Sequence, residues 1–399
     1  MTHDMDPLYW TDTSLMAGFP GLALFYLFLA RGTREQQWLD VAYCYLDRAV
    51  KATHTHPLVL PTLGKGTAGM TLLLSLFGEQ DERFIWIRHD VDQRLAQQTL
   101  DYDWWLPIDG NRLFNYDLLV GVSGVLAILV RTGVHMGIIQ EAIERLLHVL
   151  LQFVMGEQTY QDHPWAVPAT LFPTAQRRYR TAPVINCGLA HGIPGPLVAL
   201  SLAWQAGYRI DGQWTAMQTL ASWLAEQYVQ TAWGIDWPDV VPIQFSHQPD
   251  PFHPPARSGW CYGAPGVLRS LWIAGHTLSD SALQQRTLQG LDALLQRPTE
   301  TRQIDPVTLC HGQAGLLLIF THFFQETGRS DAQTQIIHLV EQILEDAHGD
   351  TPLGFRYAFR REQSVNSPGL LLGVAGTLLA LLAAITDVPP VWDRALLLS

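Results

Sequence analysis

The chain has 399 residues, of which 48% are hydrophobic and 16% charged, and it carries a net charge of −12. That length allows two or three ordinary domains or one large closed architecture, with apolar material for a sizeable core. The acidic balance argues against nucleic acid as a partner, because neutralising phosphates needs a basic face. One short cluster, Arg177-Arg178-Tyr179-Arg180, is basic and reads either as a local anion site or as a solvated loop.

The chain opens on Met1-Thr2-His3-Asp4-Met5-Asp6-Pro7, which lacks the charged and apolar regions of a signal peptide. Four cysteines, Cys44, Cys187, Cys261 and Cys310, are too few and scattered for a disulfide scaffold. Both points lead to the expectation of a reducing, cytoplasmic setting.

From residue 18 onward one pattern recurs. Gly18-Phe19-Pro20-Gly21, Gly66-Thr67-Ala68-Gly69 and Gly121-Val122-Ser123-Gly124 are each followed by an apolar run. So are Gly192-Ile193-Pro194-Gly195, Gly263-Ala264-Pro265-Gly266, Gly312-Gln313-Ala314-Gly315 and Gly373-Val374-Ala375-Gly376. The first glycines are 48, 55, 71, 71, 49 and 61 residues apart. Seven such motifs in one context are an internal repeat.

The runs after the motifs, such as Leu22 to Leu29 and Leu316 to Phe320, are apolar on every face and predict wholly buried helices. Between them lie one-sided patterns: Trp38, Val41, Ala42, Tyr45, Leu46 and Ala49; Ile138, Ala142, Leu146, Val149 and Leu150; Ile336, Ile337, Leu339, Val340, Ile343 and Leu344. These follow a 3.6-residue period and predict amphipathic helices, with no sustained β alternation in competition. The alternation predicts an all-α fold in two concentric layers, inner and outer. Each Gly-x-x-Gly would turn the chain onto an inner helix at one end of the ring, so that side chains before the motifs meet around a central mouth.

The two longest gaps, about residues 155–186 and 231–259, are rich in proline and aromatic residues, as in His163-Pro164-Trp165 and Pro249 to Pro255. They read as loops rimming the mouth or as inert insertions. The run Gly369 to Ile385 is slightly short for a membrane span and rich in glycine and alanine, so a buried helix is the better reading.

Chemistry concentrates at two motifs. Arg257-Ser258-Gly259-Trp260-Cys261-Tyr262 precedes Gly263, and Cys310-His311 precedes Gly312. A single cysteine is more often a small buried hydrophobe. Two cysteines and a histidine at equivalent places in successive repeats are a ligand set for a catalytic zinc, with its fourth position open. His191 stands directly before Gly192, in register with Tyr262 and His311, and reads as an acid–base group or as a satisfied buried histidine. Asp117, four residues before Gly121, would orient a neighbour or cap a helix. Arg257 and Tyr262 flank Cys261 and could stabilise an anion, or Arg257 could pair with an acidic surface group.

Trp260-Cys261-Tyr262-Gly263-x-Pro265-Gly266, Cys310-His311-Gly312 and Gly188-Leu189-Ala190-His191-Gly192-Ile193-Pro194-Gly195 resemble the signatures of the lanthionine synthetase C-like family. The resemblance runs over nearly the whole chain and implies a single α/α toroid domain, 1–399, with seven inner and seven outer helices. It implies zinc, one per chain, on Cys261, Cys310 and His311, with His191 as acid–base catalyst, Asp117 as an active-site aspartate, and Arg257 and Tyr262 lining the site. Two features depart from the pattern: only 17 residues precede the first motif glycine, and Cys187 stands where an aliphatic residue is usual.

Bacterial members of that family are lanthipeptide (lantibiotic) cyclases, which add cysteine thiolates of a dehydrated precursor peptide to dehydroalanine or dehydrobutyrine. The resemblance therefore implies a thioether-forming enzyme served by a separate dehydratase and a peptide transporter, cytoplasmic and membrane-associated only through such a complex. A second reading keeps fold and zinc but has the protein bind or add glutathione without forming peptide rings. A zinc prenyltransferase or an α/α-barrel hydrolase is disfavoured, for want of an aspartate ligand with a basic diphosphate pocket in the first case and of a carboxylate pair in the second.

Overall fold

The computed structural model describes residues 10–105, 115–156, 165–171, 182–243, 254–305, 307–347, 349, 351–355, 357–360 and 363–399. The cluster Arg177-Arg178-Tyr179-Arg180, most of His163-Pro164-Trp165, and all of Pro249 to Pro255 but its last two residues lie outside them.

All seven Gly-x-x-Gly motifs open a helix. These are α1 (Phe19–Thr33), α3 (Thr67–Gly78), α5 (Val122–Val130), α7 (Pro194–Gln205), α9 (Ala264–Thr277), α11 (Gln313–Thr327) and α13 (Val374–Ile385). Every residue of α5 is buried, as are Pro194 to Ala203 of α7 and Ala314 to Phe323 of α11. Proline in the first turn of α1, α7 and α9 costs no hydrogen bond, since those N–H groups have no intrahelical partner.

Between them run α2 (Gln36–Thr55), α4 (Ile85–Asp101), α6 (Gly137–Met155), α8 (Gln213–Glu226), α10 (Ser281–Gln296) and α12 (Ser330–Glu345). The buried residues of α12 are Ala332, Ile336, Leu339 and Ile343, one stripe at helical spacing. That stripe is narrower than the sequence pattern suggested, since Ile337 and Leu344 are exposed. Six amphipathic helices rather than seven are present among the described residues; residues 10–18, before α1, form turns and bends.

The chain divides into two compact units, one of Met1–Leu95 with Gln303–Ala395 and Ser399, the other of Ala96–Arg302 with Leu396–Leu398. In the first, the motif helices pack side by side in the order α11, α13, α1, α3, with α2 on α1 and α12 on α11. In the second the order is α5, α7, α9, with α6, α8 and α10 against their partners.

Short β structure, unforeseen from the sequence, lies in and beside the two long gaps and again before the last motif. Strands β1 (Ala166–Pro168), β2 (Pro183–Asn186) and β5 (Val240–Pro242) form one antiparallel sheet, with Val184 opposite both Val167 and Pro242. Strands β3 (Val229–Thr231) and β4 (Gly234–Asp236) form a hairpin, and β6 (Tyr357–Arg360) pairs with β7 (Gln363–Val365). Three or four residues show too little alternation to register as a period. The run from Gly369 is helical only from Val374, and no described helix is long and apolar enough to cross a membrane.

The glycines are set by close approach. A Cβ on the first glycine of a motif would collide with the loop before it, 2.1 Å from Thr11 O at Gly18 and 2.3 Å from Leu60 O at Gly66. The loop closes on itself: the N–H after the glycine donates to a carbonyl seven residues back, from Phe19 to Asp12, Thr67 to Leu60, Val122 to Asn115, Ile193 to Asn186 and Val374 to Ser367. One otherwise orphaned helix N–H is thereby satisfied in each. At the second glycine a Cβ would meet the neighbouring repeat, 2.9 Å from Leu15 Cβ at Gly69 and 2.9 Å from Leu189 Cβ at Gly266. Gly69→Ala is therefore expected to destabilise the protein by about 1–3 kcal/mol through overpacking, seen as a lower denaturation midpoint; unchanged stability would contradict the packing.

Candidate active site and metal centre

In the second unit, the hydrogen bonding of β2 with β5 delivers the chain to the loop Cys187-Gly188-Leu189-Ala190-His191. Asn186 is buried and ends the strand, where its Oδ1 accepts from Gly188 N at 2.8 Å, an Asx turn. Gly192 N donates to Gly188 O at 2.7 Å and closes the loop, placing His191 just before α7. Leu118 N donates to Ala190 O at 3.1 Å and brings the preceding repeat alongside.

That contact sets Asp117 against His191. Asp117 is buried, its Oδ1 accepts from Leu119 N at 2.5 Å and Val120 N at 2.9 Å, and its Oδ2 accepts from His191 Nδ1. One Asp117 oxygen thus meets the turn into α5 and the other meets the imidazole. Burial pulls the His191 pKa down, but the Asp117 charge, its hydrogen bond and the nearby Cys261 outweigh it, and the net shift is upward.

Cys261 and Tyr262 stand in the next loop of the same unit. Gly188 lies so close to it that a Cβ would fall 2.5 Å from Cys261 O and 2.6 Å from the Tyr262 ring. The Tyr262 hydroxyl accepts from Asn186 Nδ2 at 3.2 Å, and its ring centre is 6.4 Å from that of His191. Burial pushes the phenol pKa far up, which favours the neutral hydroxyl over the phenolate. Gly263 has φ +104°, a conformation that only glycine adopts without strain, and a Cβ there would lie 1.8 Å from Arg257 O. The Arg257 side chain is exposed and lies outside this chain of hydrogen bonds.

The segment carrying Cys261 is pinned at both ends by buried polar bonds. Arg297 Nη1 donates to Asp236 Oδ2 at 2.9 Å and to Ala256 O at 2.8 Å, and Ser258 N donates to Arg302 O at 2.8 Å. Trp260 Nε1 donates to Leu396 O at 2.9 Å, near the end of the chain.

In the first unit, Cys310 N donates to Leu371 O at 3.0 Å, and Cys310 is half-buried. His311 Nε2 lies 2.7 Å from Asp305 Oδ2, and Asp305 N donates to His311 O at 3.0 Å. Asp305, absent from the sequence-based site, orients this histidine much as Asp117 orients His191. Cys310 and His311 thus stand in the first unit and Cys261 in the second, each directly in the loop before a motif helix, and all three are residue types that ligate a soft metal ion.

The lanthionine synthetase C-like protein family matches residues 9–397. The chain belongs to this family. It is 23% identical over 357 residues to nisin biosynthesis protein NisC of Lactococcus lactis subsp. lactis, covering 86% of this chain and 82% of that one. Among solved structures, nisin cyclase superposes with a TM-score of 0.79 at 20% identity, over 97% of this chain and 92% of that one. The structural match shows the fold class expected from the repeats, the all-α toroid of glycine-started helices alternating with amphipathic ones.

Within this family fold two participants escaped sequence reasoning. Asn186 carries a local signal, Asn-x-Gly at a turn, and Asp305 stands where the loop before α11 begins, its carbonyl accepting from Gln313 N at 3.2 Å. Cys187, by contrast, is fully buried with its thiol pKa pushed up by desolvation, so it packs rather than reacts. Because Asp117 raises the His191 pKa while burial opposes it, Asp117→Asn is expected to lower the His191 titration midpoint. Histidine NMR titration reads this directly; an unmoved midpoint would remove Asp117 as the cause.

Proposed function

We propose that this protein is a zinc-dependent lanthipeptide cyclase. Cysteine thiolates of a dehydrated precursor peptide add to dehydroalanine or dehydrobutyrine and close thioether rings. The observation that carries the reading is the ligand set of Cys261 before one motif and Cys310-His311 before the next, in a chain whose family membership and likeness to nisin cyclase support the same chemistry.

The donors suit zinc. Two thiolates and one imidazole match its ligand preferences and leave a fourth position for substrate. Asp305 on His311 Nε2 fixes the tautomer that ligates through Nδ1, the usual carboxylate–histidine support of such an ion. When bound, zinc lowers a thiol pKa from about 8.5 toward neutrality and holds the thiolate.

The chain's own residues do the rest. His191, protonated and held by Asp117 through Nδ1, presents Nε2–H to the substrate. As the thiolate forms the carbon–sulfur bond at the alkene β-carbon, the π electrons pass to the α-carbon and its carbonyl oxygen. His191 then gives its proton to the α-carbon and becomes neutral, completing addition of S–H across the double bond. Tyr262, a neutral phenol, donates to the enolate oxygen; Arg257 lines the approach. The alkene requires an earlier dehydration step, so a separate dehydratase and a peptide transporter, with a cytoplasmic location, belong to the same proposal.

The test is metal content and cyclisation together. Wild-type protein is expected to hold about one zinc per chain and to close a ring in a peptide carrying one dehydroalanine and one cysteine. Cys261→Ala and Cys310→Ala should lose both zinc and cyclisation without unfolding, and His191→Ala should keep zinc but cyclise slowly. Asp305→Asn should weaken zinc about 10–100-fold, measured by chelator competition. A folded, zinc-free wild type would sink the mechanism; addition of glutathione with no action on the peptide would give the thiol-adding reading instead.

A further inference from the structure

Asn186 is buried at the end of β2, and its side-chain amide is fully committed. Oδ1 accepts from Gly188 N at 2.8 Å, which fixes the orientation of the amide. Nδ2 then donates twice, to the backbone oxygen of His191 at 3.1 Å and to the Tyr262 hydroxyl at 3.2 Å. One amide therefore ties together the loop that carries the acid and the loop that carries the phenol.

The direction of the second bond matters. A phenol oxygen that accepts from an amide N–H keeps its own proton for another acceptor. Asn186 has no hydrogen left to point elsewhere and no lone pair toward Tyr262, so it cannot take the phenol proton. The Tyr262 O–H is thus turned away from the protein amide. Its neighbour is His191, whose ring centre is 6.4 Å from its own.

We propose that Asn186 is a positioning residue that holds the Tyr262 hydroxyl as a hydrogen-bond donor to the developing enolate oxygen, in step with His191. The proposal rests on the cyclase reading of the site. In it, Tyr262 gives no proton away: the oxyanion accepts its O–H while the α-carbon receives the His191 proton. An alanine or leucine at 186 leaves the phenol free to rotate and to point its proton at the protein. An aspartate there accepts where the amide donated, and reverses the bond.

Two measurements test this on the full-length, zinc-loaded protein. The first is NMR of protein labelled at the tyrosine Cζ carbon, with the Tyr262 signal identified by its loss in Tyr262→Phe. Asn186→Leu should move that signal; an unmoved signal would show that the amide does not govern the phenol, and would overturn the proposal. The second is cyclisation of a synthetic peptide carrying one dehydroalanine and one cysteine, using variants whose zinc content and denaturation midpoint match wild type. Tyr262→Phe and Asn186→Leu should each lower kcat on the order of 10–100-fold with KM little changed. The double variant should lose no more than the worse single one, because the two residues act as a unit.

Asn186→Gln, which keeps an amide donor, should recover part of the loss, whereas Asn186→Asp should not. Additive losses in the double variant, or a wild-type kcat in either single one, would overturn the proposal while leaving cyclisation in place. A wild type that leaves the peptide linear would instead sink the cyclase reading itself, and this proposal with it.

Discussion

The close approach of one repeat to the next at the second motif glycine is the constraint on which the structure depends. In each repeat the residue six positions before that glycine is large and apolar: Leu15, Leu63, Leu118, Leu189, Trp260, Leu309 and Leu370. A Cβ at Gly21 would come 3.1 Å from Leu370 Cβ, at Gly69 2.9 Å from Leu15 Cβ, and at Gly376 3.0 Å from a Leu309 methyl. The knob of one loop thus fits the bare backbone of the next helix. Dense packing of that kind admits no extra methyl, which is why the glycine recurs while the residues between vary. The same contact orders the loops, and the loops carry every candidate catalytic side chain.

Order in the loops matters because a chemically active group must be held to within a fraction of an ångström of its working position. Here the supports are buried polar bonds rather than apolar contacts alone. Asp236 and Arg297 are both buried, and the guanidinium spends a second hydrogen bond on Ala256 O, five residues before Cys261. Removing either partner would strand a buried charge, so such a pair is costly to break. Its role at this place is to fix where the Cys261 loop begins, while Trp260 and Leu396 fix the residue adjoining the cysteine.

The fold was legible because it is periodic. Seven glycine motifs and the alternation of wholly apolar with one-sided segments carry the same information many times over. The site was legible where it shared that register: His191, Tyr262 and His311 all stand directly before a motif glycine. Asn186 and Asp305 were not, because their importance lies in the partner each meets across a loop, and a turn-forming asparagine or aspartate is locally unremarked. The short sheets were invisible for the opposite reason. Strand β2 is four residues long, and what holds it is pairing to β5, more than fifty positions away. Arg257 shares a loop position with Asn186, and its carbonyl oxygen closes on Gly263.

The protonation of the site follows from two opposite uses of burial. Desolvation disfavours whichever form of a group is charged. For Tyr262 that is the phenolate, so burial alone keeps its proton in place. For His191 it is the imidazolium, so burial alone would strip the proton; Asp117 reverses the outcome with a charge and a hydrogen bond. Both adjacent groups are thus shifted toward their protonated forms, one because of the low dielectric and the other in spite of it. A site so provided is suited to receiving negative charge and delivering a proton, not to abstracting one. Addition of a thiolate to an alkene makes that demand: the nucleophile arrives already deprotonated, and the charge it brings ends on a carbonyl oxygen and an α-carbon that must be quenched. Asp117 is then the residue that gives the buried site its chemical direction, and its two backbone bonds hold its carboxyl group in place while it does so.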